Sequence, residues 1–186
     1  MQAFGPILES AFADDYQARV NLTSALNKIS RRDIEGGIKK LEDLHDSCVM
    51  NVDKAAWLFF MGVCYEMAGM REQMISCYQQ AGEYGHRFYL PYLKLAKCAH
   101  TDAPFEAAEY NYHLAIDCLD EDLTEEKNRV ILASVYTNLS SCMTMMHRYI
   151  EAEQALEISA QLLPVQQGRA ATKAILYAAM GDKEKV

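Results

Sequence analysis

One amphipathic pattern recurs along this chain at a nearly fixed interval, and that recurrence constrains the fold more than any other feature. Leu58, Met61, Gly62 and Tyr65 fall at i, i+3, i+4 and i+7, one stripe of a helix. Gly69 breaks the pattern, and Glu72, Met74, Ile75, Tyr78 and Ala81 form a second stripe that Gly82 and Gly85 close. A step of 34 residues brings Tyr92, Leu95, Ala96 and Ala99 into the first set of places, and Ala108, Tyr112 and Ala115 into the second. A further step of 44 brings Tyr136, Leu139, Ser140 and Met143, then Ala152 and Leu156, with Pro164 ending the unit. Another 34 residues bring Ala170, Ala174, Tyr177 and Gly181. Upstream, at a spacing of 37, Gly37, Leu41 and Leu44 match Met74, Tyr78 and Ala81, and the stretch from Ile29 to Ile38 reads as a degenerate turn. From the second unit to the third, large residues replace large ones and small replace small at nearly every place, with Tyr65 to Ala99 and Met74 to Ala108 the exceptions. A small residue such as Gly62 or Ala96 lets a neighbouring helix approach, and a large one such as Tyr78 or Tyr112 fills the space opposite. No such helix pair buries its apolar face alone, so pairs stack.

The units resemble the tetratricopeptide repeat (TPR) family, whose signature is an aromatic residue, then Leu-Gly, then Tyr on a first helix, followed by Ala, an aromatic and a late Pro. Gly62, Tyr65, Gly69 and Tyr78 carry the resemblance best; Ala108, Tyr112 and Ala115, and Tyr136, Leu139, Ala152 and Pro164, extend it. Met74 departs from the family's Ala, and the third unit lacks the Gly and Tyr of its first helix. The resemblance implies an all-α fold, a right-handed α-solenoid of antiparallel helix pairs, over a single repeat domain spanning 1–186. Its approximate units are 6–50 (degenerate), 55–86, 89–118, 124–164 and 167–186 (incomplete, stopping where a second helix is expected). Two longer helices are also predicted. One runs from near Pro6 with Leu8, Phe12, Tyr16, Arg19, Leu22, Leu26 and Ile29 on a single stripe. The other runs from about Glu125 to Met146, behind an acidic corner and a Thr124 cap.

Composition narrows the function. Half the chain (51%) is apolar and only 9 Gly and 4 Pro punctuate it, which favours helices over many short strands. The net charge of −8, with no Lys/Arg run longer than a pair, argues against nucleic acid and anionic membrane as partners. No apolar run approaches the ~20 residues of a membrane helix, and Met1 to Asp15 lacks the basic start of a secretory signal. The six cysteines include no C-x-x-C pair and read as small core residues, reduced, in a cytoplasmic protein. The five histidines form no metal-ligand pattern, Cys118 and His113 are poorly spaced for nucleophile and base, and neither a phosphate loop nor a nucleophile elbow occurs. No catalytic residue, cofactor or metal is therefore expected, and the chain reads as a non-enzyme.

The expected function is to hold a protein or peptide partner. Family members take an extended peptide or a helix in a concave groove lined by the first helices. The corresponding residues here are Leu22 and Leu26; Phe59, Val63 and Met67; Leu93, Lys97 and His100; and Thr137, Ser141 and Met145. Phe59, Val63 and Leu93 supply the apolar contact and Lys97 the orientation. The Lys/Asn/Arg carboxylate clamp of the family's chaperone-tail binders has no counterpart at these places. The alternatives are self-association through Tyr177 and the Ala170/Ala174 face, or a place within a longer regulatory or enzymatic protein. The partner's identity and the oligomeric state stay open.

Overall fold

The computed structural model describes residues 10–102, 105–120 and 126–181. Among these are nine α-helices and no strand: α1 Tyr16–Ser30, α2 Ile34–Glu42, α3 Asn51–Ala68, α4 Arg71–Tyr84, α5 Tyr89–Asp102, α6 Phe105–Asp120, α7 Glu126–Met145, α8 Tyr149–Leu162 and α9 Arg169–Met180. Packing divides the chain, which reads in sequence as one array, into two compact units, Met1–Pro91 and Tyr92–Val186.

The turns after α1, α3 and α7, and the end of α9, share one geometry. Arg32, Gly69, His147 and Gly181 all sit in the left-handed region, at φ 62°, 73°, 60° and 75°. They are separated by the sequence's own spacings, 37, then 34 plus 44, then 34; the intervening position, Ala103, lies outside the described residues. Two backbone hydrogen bonds accompany the left-handed residue. Its own N–H donates three residues back: Arg32 to Ile29, Gly69 to Glu66, His147 to Thr144 and Gly181 to Ala178. The next N–H reaches five back: Asp33 to Lys28, Met70 to Tyr65 and Arg148 to Met143, at 2.9–3.0 Å. This pairing satisfies the helix's last carbonyls and reverses the chain in two residues.

In the first unit, α1 packs on α2, α2 on α3 and α3 on α4. Gly62 and Tyr78 set the closest approach. A Cβ placed on Gly62 would lie 2.7 Å from Tyr78 Cε1. The ring is buried, and its hydroxyl donates to Glu66 Oε2 at 2.7 Å. Trp57 Nε1 donates to Leu41 O at 2.7 Å, capping a carbonyl at the end of α2. The single helix expected from Pro6 to Ile29 is broken. Pro6 and Leu8 lie outside the described residues, Ala11–Asp14 form a turn, and Phe12 adopts φ 54°. Buried Asp53 holds that turn, accepting from Phe12 N at 2.6 Å and from Met50 N at 3.0 Å. Asp15 then caps α1 by accepting from Ala18 N at 2.9 Å. The buried stripe of α1 is consequently Ala18, Leu22, Ala25 and Ile29, while Tyr16 and Arg19 face outward.

In the second unit, α6 packs on α7, α7 on α8, and α9 on both α7 and α8. Arg148 Nη1 donates to both carboxylate oxygens of half-buried Glu109, at 2.8 and 2.6 Å, and its Nε donates to Glu151 at 2.7 Å, tying α8 to α6. Arg169 donates to the carbonyls of Ser159 (3.0 Å), Leu163 (2.6 Å) and Pro164, so the start of α9 caps the end of α8. Tyr177, expected on an open face, is buried, and its hydroxyl donates to Glu153 at 2.8 Å.

Two substitutions probe these devices with opposite signs. Gly62→Ala gains helix propensity but drives a methyl into a pinned ring, and denaturant unfolding should show a net loss of about 1–3 kcal/mol. Arg32→Gly relieves left-handed strain at the cost of unfolded-state entropy and should gain about 0.5 kcal/mol.

Candidate partner-binding surface

The first helices carry three positions, four residues apart, that the sequence assigns to the groove, and the structure gives them different exposures. The earliest is closed or half-closed on every first helix but α9, where Ala171 is exposed. Leu22, Phe59 and Thr137 are buried and Leu93 is half-buried. Phe59 was expected as a partner contact; instead its ring meets Phe60, Tyr78 and Phe88 at centroid distances of 5.3, 5.6 and 5.1 Å. It is core, because the small residue Gly62 brings Tyr78 across in front of it. Leu22 belongs to the buried stripe of α1. The Thr137 hydroxyl lies 2.9 Å from Ser159 Oγ, 2.9 Å from Gln166 Oε1 and 3.0 Å from Ala133 O. Gln166 Nε2 donates onward to Ser134 Oγ at 3.0 Å. That polar cluster pins the α8–α9 connection beneath α7 and leaves Thr137 nothing to offer a ligand.

The middle position is half open. Leu26, Val63 and Ser141 are half-buried, Lys97 is exposed, and Ile175 on α9 is 57% exposed. The latest position is open: Met67 is 43% and Met145 53% exposed, and Ser30 and Ala179 are exposed too. Exposure therefore grows toward the C-terminal ends of the first helices, where they approach the turn.

One position before the open methionines the pairs repeat a polar contact. Tyr78 bonds Glu66, and 34 residues later the Tyr112 hydroxyl lies 3.4 Å from His100 Nδ1. Burial holds His100 below its ordinary imidazole value, so at neutral pH its ring is uncharged and can accept the tyrosine proton. In the next pair Leu156 replaces the tyrosine, and Thr144 at the matching place bonds its own helix at Ser140 O. His100, assigned to the groove, thus serves the packing of α5 on α6.

Three cysteines are held as thiols. Burial pushes the thiols of Cys64 and Cys142 up to about 11 and that of Cys48 to about 12, so none supplies a thiolate at neutral pH. Cys142 Sγ donates to Phe105 O at 3.1 Å and Cys48 Sγ to Leu44 O at 3.3 Å. Among the described residues no group of three or more His, Cys, Asp or Glu side chains is placed to hold a metal ion. No described helix is long and apolar enough to cross a membrane. No family model matches the chain, and no curated protein matches it either.

The raised thiols, with Tyr112 pushed up to about 12 by burial, make a pH prediction. Above pH 9 the unfolded chain loses these protons while the folded one keeps them, so stability falls as pH rises. Thermal melts should show Tm dropping steadily between pH 9 and 11. Cys64→Ala should lower Tm at pH 7 yet flatten that alkaline slope.

Proposed function

We propose that the chain is a tetratricopeptide-type repeat protein, a right-handed solenoid of antiparallel helix pairs, that holds a peptide or helix of a partner protein and catalyses no reaction. The recurring left-handed turns at Arg32, Gly69, His147 and Gly181 support the repeat reading. The binding reading is carried by one observation: Met67 and Met145, at equivalent places in their pairs, both keep their side chains in solvent. Exposed methionine suits a surface that adapts to a ligand's shape, because its unbranched thioether repacks at little cost. In the first unit half-buried Val63 and Leu26 extend the apolar contact beside Met67, and in the second exposed Lys97 offers a ligand its charge. A cytoplasmic setting, with reduced thiols, belongs to the same proposal.

Self-association is a second reading, and one observation favours it. The α9 residues Ala171, Ile175, Ala178 and Ala179 are exposed, an apolar stripe with no described neighbour on it.

Peptides selected from a random display library on the immobilised chain provide the test. Binding measured by anisotropy should weaken about tenfold or more, ~1.4 kcal/mol, in Met67→Asp or Lys97→Glu. Ile150→Asp, on the outer face of α8, should leave it unchanged. Selection without a saturable ligand, or full affinity in both variants, overturns the reading. Sedimentation over a wide concentration range, with Ile175→Glu as control, reads the self-association alternative directly.

A further inference from the structure

The positive charge of this acidic protein is concentrated on its first helix hairpin. Between Tyr16 and Lys40 six Lys/Arg residues face two carboxylates, Asp33 and Glu35, which leaves 12 against 24 for the rest of a chain that carries 18 against 26. Helix α1 itself contains no Asp or Glu. Its buried stripe, Ala18, Leu22, Ala25 and Ile29, fixes its outward stripe as Tyr16, Val20, Thr23 and Asn27, at i, i+4, i+7 and i+11. Tyr16 is 80% and Val20 44% exposed, and with Arg19 and Ser24 this stripe lines a shallow depression.

Cations surround that stripe. Arg19 flanks it on one side and Lys28 on the other, and Arg31 and Arg32 follow at its C-terminal end. Lys28 pairs with Asp33 at 2.7 Å. Arg19, Arg31 and Arg32 are exposed and, among the described residues, make no ion pair. The helix dipole favours cations at the end of α1, but it opposes Arg19 in the first turn and does not explain an almost bare tyrosine. Apolar anchor and unpaired charge together are what an interface of opposite sign needs.

We propose that the outward face of α1 docks an acidic amphipathic protein segment. An apolar side chain of that segment packs on Tyr16 and Val20, and its carboxylates pair with Arg19, Arg31 and Arg32. Asp14 and Asp15 precede Tyr16, so carboxylates are disfavoured at that end. The docked segment therefore has its apolar residue over the start of α1, one acid beside it on Arg19 and its other acids toward the end. A protein segment fits better than a nucleic acid, because the acidic remainder of the chain repels an extended polyanion and the anchor is apolar. This face shares no residue with the methionine-bearing surface, and the two stand or fall separately.

Three labelled probes on the full chain test it by anisotropy: an amphipathic peptide of Glu and Leu, its Gln-for-Glu analogue, and oligouridylate. The acidic peptide should bind saturably and lose affinity as salt rises, and the Gln analogue should not bind. Arg19→Glu with Arg31→Glu, or Tyr16→Ala, should weaken binding about tenfold or more, and the milder Arg19→Gln with Arg31→Gln should weaken it less. Arg129→Glu, an exposed cation on α7, should change nothing. All these side chains are outside the core, so circular dichroism should be unaltered. The proposal is overturned by absent or non-saturable binding of the acidic peptide, by equal binding of the Gln analogue, by insensitivity to charge reversal, or by tighter binding of the RNA through the same arginines.

Discussion

The left-handed residue between paired helices is the constraint on which the rest of the structure depends. Counted from it, the residue seven before is small and the residue nine after is large: Ala25 and Leu41 around Arg32, Gly62 and Tyr78 around Gly69, Ser140 and Leu156 around His147. Ala96 and Tyr112 keep the same separation around position 103. All eight are buried. A turn of fixed geometry delivers the second helix at a fixed height on the first, and the bulky side chain then lands where a side chain is nearly missing. Had the turn varied in length, each pair would need its own packing solution and no common spacing would survive.

Much of this was legible in the sequence because volume is what the interior selects. The stripes Leu58–Met61–Gly62 and Met74–Tyr78–Ala81 are buried as their periodicity dictates, and α7 covers Glu126–Met145 where a long helix was expected from about Glu125 to Met146. What escaped was local backbone chemistry. Arg32 and His147 adopt a conformation that glycine usually signals, so the first turn looked degenerate and the helix after it was read too late. At the start, an apolar stripe from Leu8 to Ile29 suggested one helix. Asp53, forty-one residues from Phe12, interrupts it through a hydrogen bond that no local pattern announces.

The surface was harder to read than the core. Which side of a first helix remains open depends on how far its neighbour slides along it, and that is set by contacts between residues far apart in sequence. Phe59 and Val63 looked equivalent as apolar residues one turn apart. Phe59 fell beneath the Tyr78 and Phe88 rings, and Val63 beyond them. Thr137 looked like an ordinary groove hydroxyl until Gln166, from a connection with no regular pattern, closed over it. Tyr16 carried a readable signal in retrospect: Asp15 is a good cap, and a helix starting behind it turns Tyr16 outward.

The Ser140 hydroxyl is buried and has no hydrogen-bond partner, at the place where the preceding pairs carry Gly62 and Ala96. Glycine, alanine and serine share little chemistry, and only their size qualifies them. The interior thus polices dimensions and leaves identity free, and the same holds opposite, where two pairs carry tyrosine and two leucine. Under such a rule a lineage of repeats can exchange nearly every signature letter while its helices keep their spacing, until the architecture outlives the vocabulary by which relatives are recognised.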